Sequence, residues 1–290
     1  MGQHYADSRQ IFFKEKKVLI VLILLFIFFL LSYPIGEAKA YNKASAVVLI
    51  DAKSGEILYN ENGEIPMEIA STTKILTAIT VIENADIFLT TSIPGEAVGV
   101  EGSSIYLRTG ERWRVLDLLY GLMLRSGNDS AVALALITSG SLEEFAYLMN
   151  QTAVKAGAMH SNFTNPHGLH DEEHLCTASD LAKITVYAMK NPIFSDIVKT
   201  KTHRALKEAS GEKQEVIFYN KNKLLYSYPY AIGVKTGYTK HSGRCLVSAV
   251  EKEGVQLICV TLNVYDTYGV SKRLFDRYFA EGECDHAEIT

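Results

Sequence analysis

From Ile75 to Ile82 the chain carries no charge, and Ile75, Ile79 and Ile82 recur at helical spacing. Leu76, Ala78 and Val81 spread apolar character around the rest of the circumference, which marks a buried helix too short to span a membrane. The pattern predicts its start at Ser71. Ahead of it, Ser45 to Asp51 and Glu56 to Tyr59 read as strands, and Lys53-Ser54-Gly55 between them predicts a hairpin. Behind it, Asp86 to Ile93 reads as a strand and Pro94 to Gly102 as a loop. Val115, Leu118, Leu119, Leu122 and Met123 have helical period; Ser126-Gly127-Asn128 interrupts them before a second apolar helix from Asp129 to Ile137. Ser141 with Glu144 is a capping box for a helix ending near Gly157, and Asn165-Pro166-His167-Gly168 marks a loop. Thr177 or Ser179 caps a further helix to Met189.

After Pro192 the texture changes. Val216 to Tyr219, Ala231 to Thr236, Cys245 to Val250 and Val255 to Leu262 read as strands, and Glu251-Lys252-Glu253-Gly254 turns the last pair. Asp266 to Phe279 closes as a helix with Leu274, Phe275 and Tyr278 on one face. This order predicts an α+β fold: one antiparallel sheet made from both chain ends, with a helical block against it.

The first 40 residues stand apart. Lys14, Lys16 and Lys17 precede an unbroken apolar run from Val18 to Leu31; Pro34 and Gly36 follow, then Ala38-Lys39-Ala40. That is the grammar of a signal peptide cut after Ala40, the alternative being an uncleaved N-terminal anchor. Either way residues 41–280 are expected as an exported catalytic domain, with a polar tail at 281–290 and the membrane touched only through an uncleaved N-terminus. With 21% charged and 48% hydrophobic residues among 290, the chain is an ordinary globular one. Its formal charge of −4, or −6 without residues 1–40, gives no reason to expect a nucleic-acid partner. Cys176, Cys245, Cys259 and Cys284 lack metal or redox spacing, and Cys245 and Cys259 sit in strand-like runs as small core residues.

Ser71 and Lys74, three residues apart at the start of the core helix, share one face. Desolvation there disfavours the ammonium form, and a neutral amine beside a hydroxyl is a general base beside a nucleophile. Ser-x-x-Lys alone is a weak signal, since Ser210-Gly211-Glu212-Lys213 repeats it in what reads as an exposed loop. The company of the first copy makes the difference. Ser126-Gly127-Asn128 falls between two apolar helices and Lys235-Thr236-Gly237 ends a strand-like run, so three motifs occur in the order Ser-x-x-Lys, Ser-x-Asn, Lys-Thr-Gly.

With these motifs the chain resembles the low-molecular-mass penicillin-binding proteins, specifically serine-type D-alanyl-D-alanine carboxypeptidases, from about Ser45 to Phe279. Asp51-Ala52-Lys53-Ser54-Gly55, Asn165-Pro166-His167-Gly168-Leu169, Asn220-Lys221-Asn222-Lys223-Leu224-Leu225 and Lys235-Thr236-Gly237-Tyr238-Thr239 add to the likeness. The resemblance implies a five-stranded antiparallel sheet flanked by helices, with an all-helical subdomain across a cleft. It implies hydrolysis of the terminal D-alanine from peptidoglycan stem peptides, inhibition by β-lactam antibiotics, and no cofactor. Ser71 would be the nucleophile, Lys74 its base, Ser126 a proton relay, and Asn128 the group that holds substrate and Lys74. Lys235 would supply positive potential and, with Thr236, Gly237 and Tyr238, bind substrate. The backbone N–H groups of Ser71 and Tyr238 would form the oxyanion hole.

Two features bound that reading. Lys221 stands where some relatives carry Arg, and the resemblance assigns no role to Arg244, a candidate with Lys235 and Thr236 to hold a free terminal carboxylate. A metal at His167, His170 and His174 with Asp171, Glu172 and Glu173 is disfavoured, because Pro166 and Gly168 put them on a loop and the pattern is not a helical H-E-x-x-H. Two rival classes remain. A β-lactamase of the commonest type needs a water-activating glutamate in E-x-x-x-N spacing, and none occurs between Ser126 and Lys235. A penicillin-binding sensor would keep the motifs as relics, yet every motif position holds its reactive residue.

Overall fold

A computed structural model describes residues 44–287, with side chains described as far as residue 280. The leader read at residues 1–40 lies outside the described residues. In chain order come β1 (Ala46–Asp51) and β2 (Ile57–Glu61), then a 3₁₀ turn (Ala70–Thr73) that runs into α1 (Lys74–Asn84). Short strands β3 (Thr90–Ser92) and β4 (Arg112–Arg114) precede α2 (Val115–Arg125), α3 (Asn128–Ser139), α4 (Leu142–Lys155), α5 (Ala178–Met189) and α6 (Pro192–Lys199). The hairpin β5 (Thr202–Ala209) and β6 (Glu212–Tyr219) follows, then the single turn α7 (Leu224–Ser227). Strands β7 (Ala231–Thr239), β8 (Gly243–Lys252) and β9 (Val255–Leu262) and helix α8 (Thr267–Ala287) close the chain.

The five-stranded sheet has the order β2-β1-β9-β8-β7 and is antiparallel throughout. It is the sheet from both chain ends that the pattern predicts, closed by β9 pairing with β1. Asp51 turns the first hairpin: its carboxylate accepts from the N–H groups of Lys53 and Ser54, and Gly55 takes φ +76°. Side chains alternate across the sheet. Val47, Leu49, Val250, Leu257 and Cys259 pack with Phe275 of α8, while Ala46, Val48, Ile50, Val247, Ala249, Ile258 and Val260 join the core shared with the helical block. Burial on both faces explains why β8 and β9 read as continuous apolar runs.

Helix α1 sits inside that block, with every residue from Lys74 to Val81 buried. Ser141 caps α4 by accepting from the Glu144 N–H, Thr177 caps α5 by accepting from the Asp180 N–H, and Asn191 caps α6 ahead of Pro192. Cys176, Cys245 and Cys259 are buried thiols, which burial raises to about 12, 11 and 12.

Four local expectations need correction. The α-helix starts at Lys74, because Ser71 belongs to the preceding 3₁₀ turn. The strand expected over Asp86 to Ile93 shrinks to Thr90–Ser92. A second, four-stranded sheet, β3-β4-β5-β6, stands beside the first and is held by Trp113 stacked on Phe218 at 6.2 Å between centroids. The closing helix continues to Ala287, through most of the stretch expected as a polar tail.

Candidate active site

The 3₁₀ turn, the α2–α3 junction, the 165–174 loop and β7 converge on one cluster. Ala70 adopts φ +48°, a region that L residues rarely occupy, directly ahead of Ser71. In a 3₁₀ turn side chains at i and i+3 eclipse, and Lys74 Nζ accordingly lies 3.0 Å from Ser71 Oγ. The same nitrogen lies 2.7 Å from Asn128 Oδ1 and 2.7 Å from the backbone oxygen of His167.

Lys74 is fully buried. Burial first, then the charges of Lys235 and Lys221, hold its pKa well below the ordinary lysine value, against the opposing pull of Asp129. A neutral amine has two protons and one lone pair. Asn128 Oδ1 and the His167 carbonyl can only accept, so they take the two protons and leave the lone pair facing the Ser71 hydroxyl. The Asn128 amide is fixed in that sense by its Nδ2, which donates to the Glu101 carbonyl at 2.6 Å.

Lys235 is the second buried amine, 3.0 Å from Ser126 Oγ and 2.8 Å from the Thr236 carbonyl. Burial and the charge of Lys221 lower it to about 7. Ser126 itself ends α2 in the left-handed region at φ +64°. Asp129, one residue beyond Asn128, is buried and braces the junction. Its carboxylate accepts from the N–H groups of Ile105, Leu107 and Ser130 and from the Ser104 hydroxyl. The Asn128 N–H donates to the Ser103 carbonyl at 2.7 Å, which ties the 101–107 loop to the Ser126-Gly127-Asn128 motif.

The 165–174 loop is seated by two buried residues. Gly168, at φ +81°, passes so close to the Ser71 turn that a Cβ there would lie 1.9 Å from the Ala70 oxygen. His174 Nδ1 accepts from the Thr164 N–H, and its Nε2 lies 2.9 Å from Thr73 Oγ1, so the neutral ring carries its proton on Nε2. Burial lowers His174 to about 4 and His167 to about 3.

On the opposite wall, Gly237 lets β7 lie against the turn: a Cβ there would come within 3.1 Å of both Ser71 N and Ile69 O. Tyr238 follows with its ring exposed. Lys221 is exposed, its pKa lowered by partial desolvation and by Arg125, and its charge reaches both Lys74 and Lys235. Arg244, paired with Tyr238 across the hairpin, is folded onto Tyr265 instead, 4.8 Å from the ring and bonded to its carbonyl.

The structure thus brings the five residues into two hydrogen-bonded groups, Ser71–Lys74–Asn128 and Ser126–Lys235, linked through the Ser126-Gly127-Asn128 motif and the charge of Lys235 on Lys74, with Gly237 against the Ser71 turn and Thr236 and Tyr238 beside Lys235 on β7. Ser210 lies in the β5–β6 turn, apart from it. Sequence reasoning missed Asp129 and the His167 carbonyl. Asp129 did leave a signal, as the lone charge between Arg125 and Glu143; a backbone carbonyl leaves none.

A family model described as D-alanyl-D-alanine carboxypeptidase, Peptidase S11, matches residues 35–266. D-alanyl-D-alanine carboxypeptidase DacF of Bacillus subtilis is 35% identical over 226 residues, covering 76% of this chain and 57% of the relative. The D-alanyl-D-alanine carboxypeptidase of Streptomyces sp. strain K15 is 34% identical over 223 residues, covering 72% of this chain and 77% of the relative. The chain therefore spans a little over half the length of DacF and about three quarters of the Streptomyces protein. Among solved structures, a variant of the Streptomyces K15 DD-transpeptidase superposes with a TM-score of 0.77 at 30% identity, covering 81% of this chain and 97% of that one. An evolved penicillin-binding protein homologue from Mycobacterium tuberculosis gives 0.74 at 29% identity, covering 81% and 90%. With four fifths of its length matched by the family model, the chain belongs to the D-alanyl-D-alanine carboxypeptidase family, peptidase S11.

Proposed function

We propose that this chain is a serine D-alanyl-D-alanine carboxypeptidase that acts outside the cytoplasm on peptidoglycan stem peptides, and that β-lactams acylate the same serine. The observation that carries this reading is the 3.0 Å approach of a buried, deprotonation-prone Lys74 to Ser71 Oγ. Lys74 takes the hydroxyl proton as Oγ attacks the carbonyl carbon of the penultimate D-alanine. The carbonyl electron pair moves onto oxygen, which the backbone N–H groups of Ser71 and Tyr238 receive; one such donor is worth about 3 kcal/mol. The proton passes through Ser126 to the leaving amine, the C–N bond breaks and D-alanine departs. Water then attacks the Ser71 ester, and the proton route runs in reverse.

Asn128 holds Lys74 and the substrate amide, and Lys235 with Thr236 receives the terminal carboxylate. Nucleophile, base and oxyanion donors all come from the chain, so the reaction needs no cofactor. No acceptor of a Lys74 hydrogen bond named above is a carboxylate, which supports slow rather than fast hydrolysis of a penicilloyl ester. Among the described residues no single helix is long and apolar enough to cross a membrane, and the reading assigns export and any membrane attachment to residues 1–40.

A second reading is transfer of the acyl group to an amine, favoured by the solved relatives named as DD-transpeptidases. Mass spectrometry of the purified protein with a pentapeptide ending in D-Ala-D-Ala decides between them. Release of D-alanine and tetrapeptide, lost on amidation of the terminal carboxylate and in Ser71→Ala, supports the carboxypeptidase. Cross-linked product with an added amine in preference to tetrapeptide makes it a transpeptidase. Rapid turnover of penicillin makes it a β-lactamase, and no reaction with either makes it a sensor.

A further inference from the structure

We propose that Glu68, His170 and His241 form a binding site for one divalent transition-metal ion, Zn²⁺ foremost, in the wall of the cleft. One carboxylate oxygen of Glu68 and one ring nitrogen from each histidine lie within 4.8 Å of one another. Glu68 is buried, its side chain 6% exposed, and its carboxylate sits 2.6 Å from His170 Nδ1. The rings of His170 and His241 stack at 4.0 Å between centroids, 11° from parallel. Both histidines are solvent-accessible, so an ion has an entry path to a carboxylate that is otherwise buried.

Two imidazoles and one carboxylate suit Zn²⁺, with a fourth tetrahedral position open to solvent. Bond lengths near 2.1 Å place tetrahedral ligand atoms about 3.4 Å apart. Glu68 and His170 must therefore part slightly and His241 close in, a rearrangement within the reach of two accessible rings. The ion takes the place of the hydrogen bond that now joins Glu68 and His170.

Of the histidines that the sequence pattern grouped, only His170 belongs to this site. His174 spends both ring nitrogens on Thr73 and Thr164, and the His167 ring accepts from the Leu169 N–H. The three ligands proposed here come from three separate segments, and each stands three positions from a residue of the cluster: Glu68 before Ser71, His170 after His167, His241 after Tyr238. An ion held by all three ties the nucleophile turn, the 165–174 loop and the β7–β8 turn together.

The test uses the purified full chain, stripped with chelator and dialysed against Zn²⁺. The expected result is saturation at one Zn²⁺ per chain below about 100 μM, with a melting temperature that rises with Zn²⁺ concentration. His241→Ala and His170→Gln should each weaken binding at least about tenfold. His170→Gln can still donate to Glu68, so it separates loss of the ligand from loss of the fold. Co²⁺ should give an intense visible spectrum in the wild type and not in either variant. No saturable binding would overturn the site, and so would unchanged affinity in both variants. None of these readings depends on peptidase activity.

Discussion

The Nζ of Lys74 lies 2.7 Å from the backbone oxygen of His167, so the 165–174 loop reaches Lys74 through its main chain. Removing the His167 ring leaves that oxygen in place, whereas a methyl group at Gly168 collides with Ala70. His167→Ala should slow acylation by labelled penicillin less than about tenfold, and Gly168→Ala on the order of 100-fold. The opposite ranking would show that the ring, not the carbonyl, matters.

Lys74 and Lys235 set a pH profile with two limbs. In the proposed mechanism Lys74 acts deprotonated, so the acylation rate should rise with pH through its depressed pKa. Lys235, proposed to act protonated, sits at about 7, so the rate should fall above that value. Lys235→Arg, which keeps its charge, should lose the falling limb, and Lys74→Arg should lose activity by 10²–10⁴-fold, roughly the worth of a general base. A falling limb that persists in Lys235→Arg would assign it to another group.

His174 links stability to acid. Its pKa is near 6.5 in the unfolded chain and lowered to about 4 in the fold, mainly by burial. Between those values the unfolded state binds more protons, so stability is fully present above pH 6.5 and is lost as pH falls toward 4. The loss from this group is on the order of 3 kcal/mol. Urea midpoints measured across that range should fall, and His174→Gln should flatten the slope while lowering the neutral-pH value. An unchanged slope would remove His174 as the cause.

Asp129 braces the cleft without touching Ser71. Asp129→Ala strands the buried N–H groups of Ile105 and Leu107, at about 1–3 kcal/mol for each group left unsatisfied. Thermal unfolding should move down by several degrees and acylation should slow, because Asn128 is hydrogen-bonded to the same loop at Glu101 and Ser103. Full activity at a lowered melting temperature would confine Asp129 to stability.

How much was legible followed from whether the cause was local. Helix α1 and strands β8 and β9 announced themselves because burial on every side leaves an unbroken apolar run. The second sheet did not: β3 and β4 have three residues each, and β5 and β6 bury chiefly Ala205 and Phe218. What holds them is distant in sequence, including Trp113 on Phe218 and the Lys207–Glu111 ion pair. The cluster was legible because Ser71, Lys74, Ser126 and Asn128 are polar residues bordering apolar helices. The 3₁₀ start of that first helix was not, since Ala70 gives no sign of its positive φ.

Ser126 supplies a hydroxyl at a backbone position that suits glycine. Holding a serine in the left-handed region costs roughly 1 kcal/mol. Ser126→Gly should therefore make a hardier protein and a poorer catalyst. Thermostability screens run without an activity readout would drift toward that exchange, and a stabilised variant that has lost penicillin binding should be sequenced first at this codon. The α2–α3 junction is a place where evolution for endurance and evolution for chemistry pull in opposite directions.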